Sequence, residues 1–273
     1  MTDRYALIGN PIAHSKSPRI HALFAAQTGQ DMAYDAILAP LDGYAEAVAS
    51  FVASGGRGMN VTLPFKEEAF RLADRRSERA QAAGAANTLV FAGGGVFADN
   101  TDGAGLVRDL RTRLGAPIGG RRVLLLGAGG AARGALGPLL QEGPARLVIA
   151  NRSAEKARRL AAEFPDSAAG ISGCGFEDLT GQDFDLVINA TSAGLSGGDL
   201  PLPAGLFAPG SLAYDMFYGR QTAFLRQAQH NGAARLADGL GMLVEQAAES
   251  FLLWRGVRPE TEAVLQELRR ESP

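Results

Sequence analysis

"VLLLGAGGAARGAL", residues 123–136, decides the fold. Four consecutive large apolar residues, Val123 to Leu126, have the composition of a strand buried on both faces, and the residues from Ala131 onward suit a helix. Between them stand Gly127, Gly129 and Ala132 at the G-x-G-x-x-A spacing. A strand, a glycine turn and a helix in that order are the context in which this spacing marks a dinucleotide-binding unit. Gly127 permits the tight turn, Gly129 lets the backbone approach a pyrophosphate, and Ala132 allows close helix–strand packing, while the first helical N–H groups face the anion. The next strand ends in "VIANRS", residues 148–153, where an NAD site sets an acidic residue on the ribose diol. Here Asn151, Arg152 and Ser153 are followed by Lys156, and two cations favour a 2'-phosphate, hence NADP.

The same alternation extends outward. "RRVLLLG", "RLVIANR", "FDLVINA" and "SLAYDMF" read as strands of one α/β series, and "YALIG", "AYDAILA" and "GMNVTL" as strands of an earlier one. Between the early strands lie helical stretches: "SPRIHALFAAQTG", with Ser17 suited to cap, Pro18 to the first turn and Gly29 to termination, and "DGYAEAVASFVASGG". This β-α-β-α-β order predicts a parallel sheet covered by helices, and "NTLVFAGGGVFADN" predicts a hairpin turning at Gly93-Gly94-Gly95. A helix from about Asp102 to Leu114, stopped by Gly115 and Pro117, links the two series. The last two helical stretches, "GMLVEQAAESFLLWRG" and "PETEAVLQELRR", have long apolar faces, and periodicity alone does not say which series they cover.

A chain of 273 residues, 46% apolar, has the length of two domains. A net charge of -2, from 27 basic and 29 acidic residues, provides no field for capturing nucleic acid or an anionic membrane. Small-molecule partners are expected. The single cysteine, Cys174, leaves no internal disulfide, and His14, His21 and His230 lack metal-ligand spacing. The expectation is a cytoplasmic protein without a metal, a secretory signal or a membrane span. One residue stands out. In "NVTLPFKEEAF", residues 60–70, Lys66 opens a helix, where the helix dipole disfavours a cation unless an anion lies close by.

The motifs "GNPIAHSKSP", "NVTLPFKEEA", "GAANTL", "DNTDGAGL", "LGAGGAARG", "NRS", "INATSAG", "YDMFY" and "ADGLGMLVEQAA" resemble, from end to end, those of the shikimate dehydrogenases. The resemblance implies an α/β fold of two domains: a discontinuous substrate domain, residues 1–103 completed by 240–273, and an inserted Rossmann-type NADP domain, residues 104–239. It assigns the last two helices to the substrate domain. It implies reversible NADPH-dependent reduction of 3-dehydroshikimate to shikimate, a step toward aromatic compounds, by a monomer or homodimer. The family's proton-shuttling lysine and its aspartate correspond to Lys66 and Asp102, and that aspartate would be the missing anion.

For the substrate the resemblance implies Ser15, Ser17, Thr62, Asn87, Tyr218 and Gln246 beside Lys66 and Asp102. Their hydroxyls and amides suit a carboxylated, hydroxylated ring. Lys16 adds a favourable field there, and His14 is structural. For the cofactor it implies Gly127, Ala128, Gly129, Gly130 and Ala131 at the pyrophosphate, and Asn151, Arg152, Ser153 and Lys156 at the adenosine phosphate. Thr191, Met216 and Gly239 would meet the nicotinamide half, and Glu78 is carried over to the cofactor as well. Lys156 departs from the second arginine of many relatives, keeping the charge without the planar fork. A quinate/shikimate dehydrogenase using either cofactor is disfavoured by Arg152, a silent dinucleotide sensor by Lys66 with Asp102, and another two-domain dehydrogenase family by the serine pair of "HSKSP".

Overall fold

Hydrophobic alternation builds the first sheet in the computed structural model, which describes residues 2–165, 167, 170–191 and 198–271. Strands β1 (Asp3–Gly9), β2 (Met32–Leu38) and β3 (Gly56–Val61) are parallel, β5 (Thr88–Ala92) and β6 (Gly95–Asp99) form the hairpin, and short β4 (Arg75–Arg76) closes the edge. The order is β2-β1-β3-β5-β6-β4. The sheet is therefore mixed rather than parallel throughout, because a tight hairpin reverses direction and β5 meets β3 antiparallel. Helices α1 (Ser17–Thr28), α2 (Tyr44–Ala53), α3 (Lys66–Leu72) and α4 (Glu78–Ala83) link these strands. Ala6, Ile8, Met59, Val61 and Leu89 fill one face of the sheet with Tyr44, Val48, Phe51 and Phe65.

Helix α5 (Asp102–Arg108) continues through a π turn (Asp109–Arg113) into the second series. Buried Asp109 sits in that wider turn, paired to Arg113 at 2.5 Å and accepting from Tyr214 Oη at 2.8 Å. Strands β7 (Arg122–Leu126), β8 (Arg146–Ala150), β9 (Gly170–Cys174), β10 (Phe184–Asn189), β11 (Phe207–Asp215) and β12 (Arg235–Asp238) form a wholly parallel sheet in the order β12-β11-β10-β7-β8-β9. Read from β9, that is the doubly wound Rossmann order, with its switch point between β7 and β10. Helices α6 (Gly130–Gln141), α7 (Ala154–Ala162) and α8 (Ala223–His230) accompany these strands. Val123 and Leu125 enter one apolar cluster and Leu124 and Leu126 the other, as a strand buried on both faces requires.

Helices α9 (Leu240–Arg255) and α10 (Glu262–Arg270) end the chain. The molecule divides into two compact units, one of residues up to Gly105 together with those from Leu243 onward, the other Leu106–Met242. In the first unit α9 covers the sheet face opposite Phe51 and Phe65. Trp254 packs on Tyr5 at 4.8 Å and donates its indole N–H to the Leu89 carbonyl at 2.9 Å, and Phe251 meets Phe24 edge-on at 5.7 Å.

His21 lies wholly buried in this aromatic layer, stacked on Tyr34 at 4.2 Å and 11°. Burial pushes its pKa down to about 3, outweighing the opposing influence of Asn60. A folded value below the unfolded one means stability that is complete above about pH 6.5 and lost as pH falls toward 3, at up to about 1.4 kcal/mol per pH unit. His21→Leu is expected to remove about 2 kcal/mol of the stability change between pH 7 and 5. Urea unfolding of both proteins at the two pH values checks this, and equal pH slopes would contradict it.

Candidate active site

In the first unit, β3 ends at Val61 and the corner Leu63-Pro64-Phe65 turns the chain into α3, with Lys66 as its first residue. Phe65, stacked on buried Tyr44 at 5.0 Å, pins the corner. Lys66 Nζ donates to Asp102 Oδ2 at 2.6 Å, and the two side chains keep 27% and 17% of their surface exposed. The pair is sheltered yet open to a ligand.

Asp102 is held by the turn after β6. Burial pushes the Asp99 carboxyl up, but the two hydrogen bonds of Arg79, at 2.7 and 2.6 Å, with that of Ser77, hold it below the usual carboxylate range. Asn100 donates to the Ala85 carbonyl at 3.0 Å and accepts from Asp102 N at 3.2 Å. Asn87 then completes the set. Its Nδ2 donates to Asp102 Oδ1 at 2.9 Å and to Gln246 Oε1 at 3.2 Å, and its Oδ1 accepts from Thr101 N at 2.8 Å. Gln246, on α9, comes this close because Gly105 has no side chain: a Cβ there would lie 2.7 Å from Gln246 N.

Of the expected substrate residues, Lys66, Asn87, Asp102 and Gln246 thus form one hydrogen-bonded group. Ser15 and Thr62 lie on the loops after β1 and β3, which Asn10 N joins by donating to the Leu63 carbonyl at 3.0 Å, and Ser17 lies at the end of the first loop, where α1 begins. Ser17 does not cap α1. It is the first helical residue, and Ser15 Oγ, two residues earlier, accepts its N–H at 3.2 Å. Glu78, exposed at the start of α4, also belongs to the first unit, whereas the other expected cofactor residues belong to the second.

In the second unit the glycine turn follows β7. Gly127 has φ +110°, and a Cβ on it would lie 3.1 Å from the Ala190 carbonyl, so only glycine fits without strain. Gly129 and Gly130 are exposed with open space beside them, and α6 has no side-chain cap. The first backbone donors of α6 therefore suit a phosphate. After β8, Asn151 Nδ2 closes the turn onto the Ser153 carbonyl at 3.1 Å. Arg152 and Lys156 are exposed and their side chains have no ion-pair or hydrogen-bond partner among the described residues, although nearby Arg133, Arg158 and Arg159 pair with Glu163, Asp178 and Glu155. Two uncompensated cations at the end of the second Rossmann strand are the chemistry a 2'-phosphate needs.

Around β10 and β11, Asn189 Oδ1 accepts from Thr191 N and Oγ1, and the Asn189 carbonyl accepts from Met216 N at 3.0 Å. Gly239 N donates to the Phe217 carbonyl at 3.0 Å. Tyr218 stacks on Phe217, and burial pushes its hydroxyl up. Thr191, Met216, Gly239 and Tyr218 thus all lie beyond the C-terminal ends of the strands, where ligands bind in this fold. Ser192, Ala193 and Gly194 of "INATSAG" lie outside the described residues.

Known proteins match this arrangement along the whole chain. Family models match residues 7–89 as shikimate dehydrogenase substrate binding domain, 110–196 as shikimate / quinate 5-dehydrogenase, and 239–269 as shikimate 5'-dehydrogenase C-terminal domain. A shikimate dehydrogenase (NADP(+)) of Dechloromonas aromatica (strain RCB) is 65% identical over 270 residues, 98% of each chain. The chain belongs to the shikimate dehydrogenase family. Among solved structures of similar proteins, an Ael1 enzyme from Pseudomonas putida aligns with TM-score 0.93 and 56% identity over 98% of each chain. Shikimate 5-dehydrogenase of Thermus thermophilus, solved with NADP(H) and shikimate, aligns at 0.86 and 35%, over 98% of this chain and 99% of that one.

Several supporting residues escaped the sequence reading. Thr101 lies inside the quoted "DNTDGAGL", and only the structure shows its amide bound to Asn87. Asp215, inside "YDMFY", accepts from Phe217 N and Thr222 Oγ1 and so shapes the turn carrying Met216 and Tyr218, while burial pushes its carboxyl up. Ser250 stands four residues after Gln246, one helical turn on, a spacing that would have flagged it. Gly127→Ala is expected to cost more than about 1 kcal/mol, since alanine at positive φ is strained, and to abolish NADPH binding. Thermal unfolding and a fluorescence titration with NADPH measure the two effects.

Proposed function

We propose that the chain catalyses the reversible NADP-dependent interconversion of shikimate and 3-dehydroshikimate, with the first unit binding the substrate and the second the cofactor. One observation carries the reading: a partly exposed lysine ammonium held at 2.6 Å by a carboxylate that is itself fixed from its other oxygen by Asn87. Oxidation of a secondary alcohol removes a hydride from carbon and a proton from oxygen, and reduction restores both. NADP, when bound, supplies the hydride chemistry. Lys66 handles the proton. In reduction its ammonium gives a proton to the carbonyl oxygen as that becomes a hydroxyl; in oxidation the neutral amine takes it back. Asp102 orients Nζ.

Ser15 and Ser17 would hold the ring carboxylate, and Thr62, Asn87, Tyr218 and Gln246 the hydroxyls. Gly127 to Ala131 would receive the pyrophosphate, Asn151, Arg152, Ser153 and Lys156 the 2'-phosphate, and Thr191, Met216 and Gly239 the nicotinamide half; Glu78 is a lesser cofactor candidate. The near-balanced charge supports a small-molecule enzyme of the cytoplasm, monomer or homodimer, without a nucleic-acid partner. Among the described residues, no helix is long and apolar enough to cross a membrane.

A spectrophotometric assay of NADP reduction with shikimate, and with quinate for comparison, tests the reaction. Lys66→Ala is expected to lower kcat by about 10²- to 10⁴-fold with little change in KM for shikimate. Retention of more than about a tenth of the turnover would assign the proton to another group. Arg152→Ala is expected to raise KM for NADP by roughly 10- to 100-fold, the loss of one charge-assisted hydrogen bond, with NAD kinetics unchanged. An equal loss with both cofactors would make Arg152 structural.

A further inference from the structure

We propose that Thr88 and Ser250 are positioning residues that set the direction of the Asn87 amide and so hold Asp102 for Lys66. The proposal rests on the proton-transfer reading above and adds to it the groups that make the geometry single-valued. A carboxamide turned half a revolution keeps its shape. For Asn87 that turn would set its oxygen against the Asp102 carboxylate and break the contact to Gln246 Oε1. Something behind the amide must forbid it.

Two donors do so. Thr101 N, which can only donate, lies 2.8 Å from Asn87 Oδ1, and Thr88 Oγ1 lies 3.0 Å from the same oxygen. The direction of the Thr88 hydroxyl follows from its neighbours. Tyr34 Oη donates to Asn60 Oδ1 at 2.7 Å, and Asn60 Nδ2 faces the main-chain carbonyl of Asn87 at 3.1 Å, which can only accept, so the Asn60 amide is fixed. Its Nδ2 also lies 3.1 Å from Thr88 Oγ1 and 3.0 Å from Ser250 Oγ. Ser250 Oγ in turn is 2.7 Å from Thr88 Oγ1, a contact either hydroxyl can donate, and 3.1 Å from the Gln246 carbonyl; the Ser250 proton is assigned to Thr88 because that leaves the Thr88 proton for Asn87 Oδ1 at 3.0 Å. With the Ser250 proton on its oxygen, Thr88 has one proton to give, and Asn87 Oδ1 takes it. Both hydroxyls are fully buried, so water cannot substitute for either. The relay Ser250, Thr88, Asn87, Asp102, Lys66 thus runs from α9 through the start of β5 to the opening residue of α3 without Thr88 or Ser250 reaching the substrate.

Thr88→Val keeps the shape and removes the hydroxyl; Thr88→Ser restores it; Ser250→Ala removes the donor behind it. Thr88→Val is expected to lower kcat for shikimate oxidation by about 2- to 12-fold, the worth of one neutral hydrogen bond, with KM for NADP unchanged and Thr88→Ser restoring kcat. A second readout does not depend on turnover. In a ¹H–¹⁵N spectrum of the ligand-free protein, the two side-chain amide protons of Asn87, assigned by their loss in Asn87→Asp, should be well separated and slow to exchange. In Thr88→Val they should draw closer together and exchange faster, although Thr101 N and Asp102 still bond the amide. Should Thr88→Val fail to fold, Ser250→Ala carries both readouts with a smaller effect. Unchanged Asn87 amide signals, or a loss of kcat that Thr88→Ser does not restore, would overturn the proposal. A wild-type protein inactive on shikimate would overturn the reaction and leave the spectroscopic result to stand alone.

Discussion

A lysine at the first position of a helix lies against the positive end of the helix dipole, and most of the first unit's polar construction follows from making that position tenable. Asp102 supplies the charge, but a carboxylate on a free loop would not hold Nζ at 2.6 Å. The loop is therefore tied down twice: at Asp99 by the bidentate Arg79, and at Asn100 by the Ala85 carbonyl. Arg79 also reaches Glu249 on α9 at 3.7 Å, which with Arg258 continues the charged network toward the C-terminal segment. Burying such charges is costly unless each is paired, and here they are.

The second unit solves a different problem, an anion site made mostly of backbone. Doubly wound topology leaves the turn after β7 at the switch point, and Gly127 lets that turn pass against the Ala190 carbonyl. The free positive charge lies elsewhere, on the exposed side chains of Arg152 and Lys156. Arg133, Arg158 and Arg159 pair with carboxylates in this unit, whereas Arg226 and Arg235 turn to main-chain carbonyls. The side chains of Arg152 and Lys156 form no such pair among the described residues and so stay available to a ligand.

The buried-type run of β7, the glycine spacing, the hairpin at Gly93 to Gly95 and the helix from Asp102 were legible because each depends on local periodicity or turn chemistry. The placement of α9 was not legible from periodicity. Its apolar face would suit either sheet; the family resemblance assigned it to the substrate domain, and in the structure Trp254 packs on Tyr5 of the first sheet. Site residues were legible where a motif carried them, as with Lys66 and Asp102. Thr88 and Asn60 were not, because a buried hydroxyl or amide in a strand looks like any other strand residue until its partners are known, and Ser250 was marked only by its one-turn spacing from Gln246. Ser17 shows the opposite failure: a serine ahead of a proline reads as a cap, yet the helix starts on it, Lys16 holds the cap position without a side-chain bond, and Ser15 Oγ accepts the Ser17 N–H.

The division of the chain also dictates an order of assembly during synthesis. Leu106–Met242 is contiguous and can bury its sheet as soon as it has left the ribosome. The first 105 residues emerge earlier but lack α9, so Tyr5, His21 and Phe24 have no Phe251 or Trp254 to pack against, and Asn87 has no Gln246. The nascent sheet keeps that aromatic layer uncovered for the whole translation of the inserted unit. The completed Lys66–Asp102–Asn87–Gln246 group is thus among the last features to form. A chain truncated within α9 would carry a complete nucleotide-binding fold beside an unfinished, aggregation-prone partner.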